Sequence, residues 1–350
     1  MKKRYKALVS GGLGVIGRQL VNHLASLENW EVIGLSRRSP DTQNSPRYIS
    51  VDLLDPSDIK SNSRDFSDVT HIFHAAYQEM PTARELIDVN LGMLRNLVEV
   101  VQEVSPNLER VVLYQGAKYY GAHLGSFPTP AREADPRHMP PDFYYDMQDW
   151  LHTATHSKRW SAVMLRPDVV CGYAPGNPMN LSMLIAVYAS ISRELGLPLR
   201  FPGTAAAYGK LAQVTDSAHL AEGSTWAATE AKSGESYNIT NGDLFRWNQL
   251  WPLIANYFDM PLAEPQTLDL NTYMADKGPL WERMVEKYSL TPIPYEKVVS
   301  WSFGDFVFRC DWDVISSTTK IRQAGFHNVV DSQSMFLDLF DLFRQLKAIP

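Results

Sequence analysis

A short apolar strand, Ala7-Leu-Val-Ser, breaks at Gly11, restarts through Leu13, Gly14, Val15 and Ile16, and meets a further glycine at Gly17. A strand-to-helix turn of this kind can seat the pyrophosphate of a dinucleotide. Gly11 permits the tight turn, Gly14 removes the Cβ that would block a phosphate, and Gly17 lets the helix lie close on its strand, with helix N–H groups aimed at the anion. Leu20, Val21 and Leu24 follow Ile16 at helical spacing. The next strand, Glu31 to Ser36, runs into Arg37-Arg38-Ser39 and carries no carboxylate where ribose hydroxyls would be bound. Two guanidiniums there suit a 2′-phosphate, which favours NADP(H); a solvated basic turn is the plainer reading. Asp52 ends the third strand, where an adenine edge is read, and equally heads the turn Leu53-Leu54-Asp55-Pro56.

The Gly-x-x-Gly-x-x-Gly spacing is that of short-chain dehydrogenases/reductases. Hydride transfer needs a proton donor or oxyanion stabiliser beside the substrate carbonyl, and the usual pair in that superfamily is a Tyr with a Lys four residues later on one helix face. That pair is missing: Tyr144 is followed at this spacing by Gln148, and Tyr145 by Asp149. A cation must come from elsewhere, and Lys118, just past the strand Val111 to Tyr114, stands at a strand end that points toward a nicotinamide. The bland readings are a solvated lysine and an aromatic wedge, Phe143-Tyr144-Tyr145, packing a helix start capped by Asp142. His152 and His156 are one helical turn apart but have no intervening Glu and no evident third ligand, so no metal is expected. His71 and His74 face opposite sides of one strand, with His74 toward cofactor or core.

The elements that must position these groups are strand-like runs at Ala7 to Val9, Val32 to Leu35, Tyr48 to Val51, His71 to Ala75, Val111 to Tyr114 and Ala162 to Leu165. They alternate with helical patterns such as Glu85 to Val104 and Tyr144 to His156. The pattern predicts an α/β fold, a doubly wound and mostly parallel Rossmann sheet. After Pro167 the texture changes to Gly- and Pro-punctuated loops, apolar helices and a Trp-rich carboxy-terminal third. The expected division is a dinucleotide-binding domain over 1–172, with 205–245 returning to it, and a smaller, mainly helical substrate lobe from 173–204 and 246–350.

With 350 residues, 45% of them hydrophobic, the chain can bury a large core, and its net charge of −6 argues against nucleic acid or an anionic membrane as partner. Only Cys171 and Cys310 occur, which suits a reducing compartment. The apolar segment after the basic start is short and reads as the first strand rather than a signal peptide, so a cytoplasmic location is expected. The partner expected is a small molecule; a homodimer is compatible with the sequence but not fixed by it.

Several longer motifs resemble the progesterone 5β-reductase/iridoid synthase-like family, PRISE, of atypical extended short-chain enzymes. They are Gly116-Ala-Lys118-Tyr-Tyr, Asp142-Phe-Tyr144-Tyr-Asp, Leu165-Arg-Pro-Asp-Val-Val-Cys-Gly-Tyr-Ala-Pro with Asn177-Pro-Met-Asn180, Leu199-Arg-Phe-Pro-Gly, Asn241-Gly-Asp-Leu-Phe-Arg-Trp and Asp276-Lys-Gly-Pro-Leu-Trp. The resemblance spans nearly the whole chain and implies an NADPH-dependent reductase of activated C=C bonds. It implies Lys118 and Tyr144 as the catalytic pair, with Tyr145 as fallback, and an ammonium in that pair is expected to lower the pKa of the tyrosine hydroxyl. Cofactor contacts are implied for Leu13, Gly14, Val15, Arg37, Arg38, Asp52, Leu53, Ala76, Tyr77 and Tyr114, with Gly11, Ile16, Gly17, Ser36 and Tyr144 itself beside them. Val170, Asn177, Pro178 and Met179 should border the nicotinamide end. Gly121-Ala-His123-Leu-Gly departs from the Gly-Pro-Phe of plant members, and Ala76-Tyr77 from their Thr-Trp. Steroid or iridoid specificity therefore does not carry over, and a bacterial-type member is expected. Other readings are a carbonyl-reducing enzyme, a nucleotide-sugar epimerase or dehydratase, and a non-catalytic NADP(H) sensor.

Overall fold

A computed structural model describes residues 4–40 and 46–350. Seven strands form the central sheet: β1 (Tyr5–Ser10), β2 (Trp30–Ser36), β3 (Tyr48–Ser50), β4 (His71–His74), β5 (Arg110–Tyr114), β6 (Ser161–Pro167) and β7 (Ser236–Ile239). Their order is β7-β6-β5-β4-β1-β2-β3, and every pairing is parallel. The chain builds outward from β1 to β3, then crosses back to β4, so the order reverses between β1 and β4. In doubly wound sheets ligands bind in the crevice outside the carboxyl ends of the strands at such a reversal.

Both faces of the sheet are covered, and the alternation of β1 shows how. Leu8 packs with Ile33 and Ile72 under α2 (Ala83–Val104) and α3 (Phe143–Ala154), while Ala7 and Val9 pack on the other face under α1 (Val15–Ala25) and α5 (Ser217–Thr229). Helix α2 starts two residues before its predicted Glu85 because Thr82 closes a capping box: the Thr82 hydroxyl accepts the Glu85 amide at 3.3 Å and the Glu85 carboxylate accepts the Thr82 amide at 3.2 Å.

A second apolar cluster surrounds α4 (Leu181–Glu194), whose residues 181–192 are all buried. Around it pack α6 (Trp247–Tyr257), α7 (Trp301–Phe308) and α8 (Ser332–Gln345), with Trp251, Phe336 and Phe340 fully enclosed. The packing of several residues departs from the expected division. Ile321 and Phe326 join the α1/α5 side of the sheet, and Ala207, Val214 and Phe245 join the lobe's core. Among the described residues, no helix is long and apolar enough to cross a membrane.

Candidate active site

At the end of β1 the backbone takes φ +67° at Gly11, and a Cβ there would meet the Ala75 carbonyl oxygen at 2.6 Å. A side chain at Gly17 would sit 2.2 Å from the Gly11 carbonyl oxygen. These approaches bring α1 hard against the loop. Gly14 is the N-cap of α1, and no side chain caps the helix, so its first-turn N–H groups are presented to the space in front of the sheet. This is the geometry of an anion seat.

That space is a cavity of about 990 Å³ running along the carboxyl ends of the strands and into the lobe. Of the residues expected there, Gly11, Leu13, Gly14, Val15, Ile16, Ser36, Arg37, Arg38, Asp52, Leu53, Ala76, Tyr77, Tyr114, Val170, Asn177, Pro178 and Met179 all line it, as do Lys118 and Tyr144. Gly17 is the exception. It stands behind the wall, and its part is packing rather than contact with a ligand.

Arg37 and Arg38 are exposed at the end of β2; Arg38 donates to the Gly176 carbonyl at 3.3 Å and its amide donates to the Ser36 hydroxyl at 3.1 Å, leaving both side chains at the cavity rim. Asp52 borders the cavity, and its carboxylate accepts the Leu54 amide at 2.9 Å in the following turn. Tyr114 lines the cavity while its hydroxyl is spent on Ser224, 2.7 Å away.

The two tyrosines at the start of α3 separate cleanly. Tyr145 turns into a small apolar cluster, where its hydroxyl donates to the Tyr119 carbonyl at 2.7 Å and accepts the His138 amide at 2.9 Å. It is the aromatic wedge, and the fallback role has no access to the cavity. Tyr144 faces the cavity instead, with its hydroxyl over the end of β5: a Cβ built on Gly116 would lie 3.3 Å from it. Asp142 caps the helix by accepting the Tyr144 amide at 2.8 Å. Burial pushes the Asp142 carboxyl up to about 6, against the pull of that amide and of Lys118.

One electrostatic expectation is corrected. Lys118 was expected to lower the Tyr144 hydroxyl, yet Tyr144 is pushed well above the ordinary phenol range, first by burial and then by the charges of Asp142 and Glu79. The ammonium acts on Asp142 and on His123. Tyr144 is therefore a protonated donor throughout the physiological range. Tyr77 is raised likewise, by burial and by the hydrogen bond it donates to Glu79.

Of the polar residues of the cavity wall that went unassigned by sequence, Gln115 and Asp168 stand nearest the strand ends of the central sheet. Gln115 follows β5, and Asp168 follows the Arg166-Pro167 end of β6. Asp168 is buried; one carboxyl oxygen accepts the Val169 amide at 2.9 Å, the other has no partner among the described residues, and burial holds the group up at about 6. Their only sequence signal is position, just past strand ends on the ligand side. His74, on β4, is buried in the cavity wall: it shares a hydrogen bond of 2.9 Å with Ser10, and burial pushes it down to about 3, so it is neutral. His152 and His156 are exposed, and among the described residues no three His, Cys, Asp or Glu side chains converge.

Residues 50–350 match the model of the PRISE-like Rossmann-fold domain family. The chain belongs to the PRISE family. It is 31% identical to an (S)-8-oxocitronellyl enol synthase of Camptotheca acuminata over 98% of this chain and 93% of that one. It is 30% identical to the 3-oxo-Delta(4,5)-steroid 5-beta-reductase of Arabidopsis thaliana, again over 98% and 93%. Among solved structures, the UDP-glucose 4-epimerase of Thermotoga maritima superposes with a TM-score of 0.70 at 16% identity, covering 97% of this chain and 99% of that one. At that identity the likeness concerns architecture alone: this PRISE chain has the extended short-chain dehydrogenase/reductase fold.

Proposed function

We propose that this PRISE protein is an NADPH-dependent reductase of activated C=C bonds in enones or enals. The observation that carries the proposal is the convergence of Tyr144 and Lys118 on the same cavity as the glycine loop and the Arg37–Arg38 pair. The (S)-8-oxocitronellyl enol synthase and 3-oxo-steroid 5β-reductase relatives support this class of reaction.

The residues present fit the cofactor. The uncapped start of α1 suits the pyrophosphate, Arg37 and Arg38 suit a 2′-phosphate, and the absence of a side chain at Gly14 leaves room for backbone approach. When bound, NADPH supplies a hydride for the β-carbon of the enone. Tyr144 then meets the charge that gathers on the carbonyl oxygen. Its raised pKa keeps the O–H in place as a hydrogen-bond donor to the enolate, and the Lys118 ammonium, on the wall of the same cavity, offers a positive charge to offset that of the enolate. A preorganised donor of this kind is worth roughly 3–4 kcal/mol of barrier. The lobe side of the cavity, with Trp247, Phe303 and Val307, offers an apolar bed for the rest of the substrate.

The test is NADPH oxidation with cyclohexenone and analysis of the product. Cyclohexanone is expected; cyclohexenol would move the reading to ordinary ketone reduction. Tyr144→Phe and Lys118→Ala should each reduce kcat by 100-fold or more, on the order expected for a lost oxyanion donor, with NADPH affinity nearly unchanged. Full activity in either variant removes the mechanism.

A further inference from the structure

Where Tyr and Lys stand on one helix, their relative placement is fixed by the helix itself. Here Tyr144 is on α3 and Lys118 lies in the tight turn Ala117–Tyr120, more than twenty residues earlier. Something else must set the distance between them. We propose that Arg166, through Gln115 and Gln148, is the positioning group that does so; this rests on the reading of Tyr144 and Lys118 as the working pair.

Arg166 is only 2% exposed, on the inner strand β6. Its guanidinium reaches both elements. Toward α3, its Nε donates to the Gln115 side-chain oxygen at 2.8 Å, and one terminal nitrogen donates to the Gln148 side-chain oxygen at 3.2 Å. The Gln115 amide nitrogen in turn donates to the Tyr144 carbonyl at 3.0 Å and to the same Gln148 oxygen at 3.2 Å. Toward the turn, the guanidinium lies 3.5 Å from the Tyr119 ring centroid and donates to the Tyr120 hydroxyl at 2.9 Å. Tyr119 and Tyr120 are the two residues after Lys118. One planar cation thus bridges the backbone of the tyrosine to the segment that carries the lysine.

Gln148 occupies the position at which the ordinary pair has its lysine. Its side-chain oxygen accepts two N–H groups, which an ammonium cannot do, and an ammonium there would face a buried guanidinium. The same arrangement accounts for the use of a distant lysine. It also accounts for a buried charge whose acceptors named above are neutral oxygens: a slot serving only to fill space is served more cheaply by hydrocarbon.

Gln148 is the residue to vary, since removal of Arg166 endangers folding. Gln148→Leu keeps the volume and deletes the acceptor; Gln148→Glu keeps the acceptor. The full chain is assayed for cyclohexenone reduction, NADPH affinity and Tm, and crystal structures give the separation of the Tyr144 hydroxyl from the Lys118 ammonium. Displacement of a reacting group by about 1 Å can cost 100-fold. Gln148→Leu should therefore lower kcat by about 10- to 100-fold with the NADPH Kd within twofold and the separation changed, while Gln148→Glu stays within about threefold of the parent. A leucine variant with unchanged kcat and unchanged separation, or leucine and glutamate variants that fall together, overturns the proposal. If Tyr144→Phe and Lys118→Ala are themselves silent, the reading of the pair fails; if they are damaging and Gln148→Leu is silent, only the positioning role fails.

Discussion

Individual side chains decide two properties of this protein that can be measured apart. The first, on the proposed function, is cofactor choice. Arg37 and Arg38 sit at the cavity rim with no acid beside them in sequence, so Arg37→Ala with Arg38→Ala should raise the NADPH KM by 10-fold or more and leave that for NADH within about twofold. Equal losses with both cofactors would contradict the phosphate assignment. The second is the cost of Asp168. Its folded-state pKa of about 6 lies above the usual 3.8, so its contribution favours the folded state below about pH 3.8 and is lost as pH rises through 6. At neutral pH the buried, half-partnered carboxylate carries the full penalty, about 3 kcal/mol. Asp168→Asn should raise Tm near pH 8, with the difference closing near pH 4; a difference that does not vary with pH would exclude the titration as its cause.

Elements place these groups. The sequence legibly carried the strands and helices of the nucleotide half, because glycine spacing, β-branched runs and helical periodicity are local signals. Helix α1 is the clearest instance: Gly17 is required because its absent Cβ would lie 2.2 Å from the Gly11 carbonyl oxygen. Gly17→Ala should therefore weaken NADPH binding and lower Tm together, measurable by fluorescence titration and calorimetry. Tertiary information was not legible. Tyr144 and Tyr145 are adjacent, and only the docking angle of α3 sends one to the cavity and the other to Tyr119. The sign of the Tyr144 shift also depended on burial and on Asp142 and Glu79, which spacing along the chain does not weigh. Asp168 and Gln115 became visible only once the strand ends were brought together.

At the scale of the whole molecule, one cavity is shared by the sheet and the helical lobe, with Gly11 and Arg38 at one end and Trp247 and Phe303 among the lobe's contributions. A ligand bound there ties both packing units to each other. NADPH at 100 times its Kd should add about 2.7 kcal/mol to global stability, seen as one cooperative transition at higher temperature. Two transitions, only one of them moved by NADPH, would mean that the lobe melts independently.

The placing of Tyr144 and Lys118 on separate elements has a consequence for how this catalyst wears out. A pair on one helix persists until that helix unravels, whereas a pair joined through Arg166, as proposed, would be dispersed by any slippage of the 117–120 turn against α3. On gentle heating, turnover should decline while far-ultraviolet circular dichroism still reports a full complement of helix, and cooling should restore it.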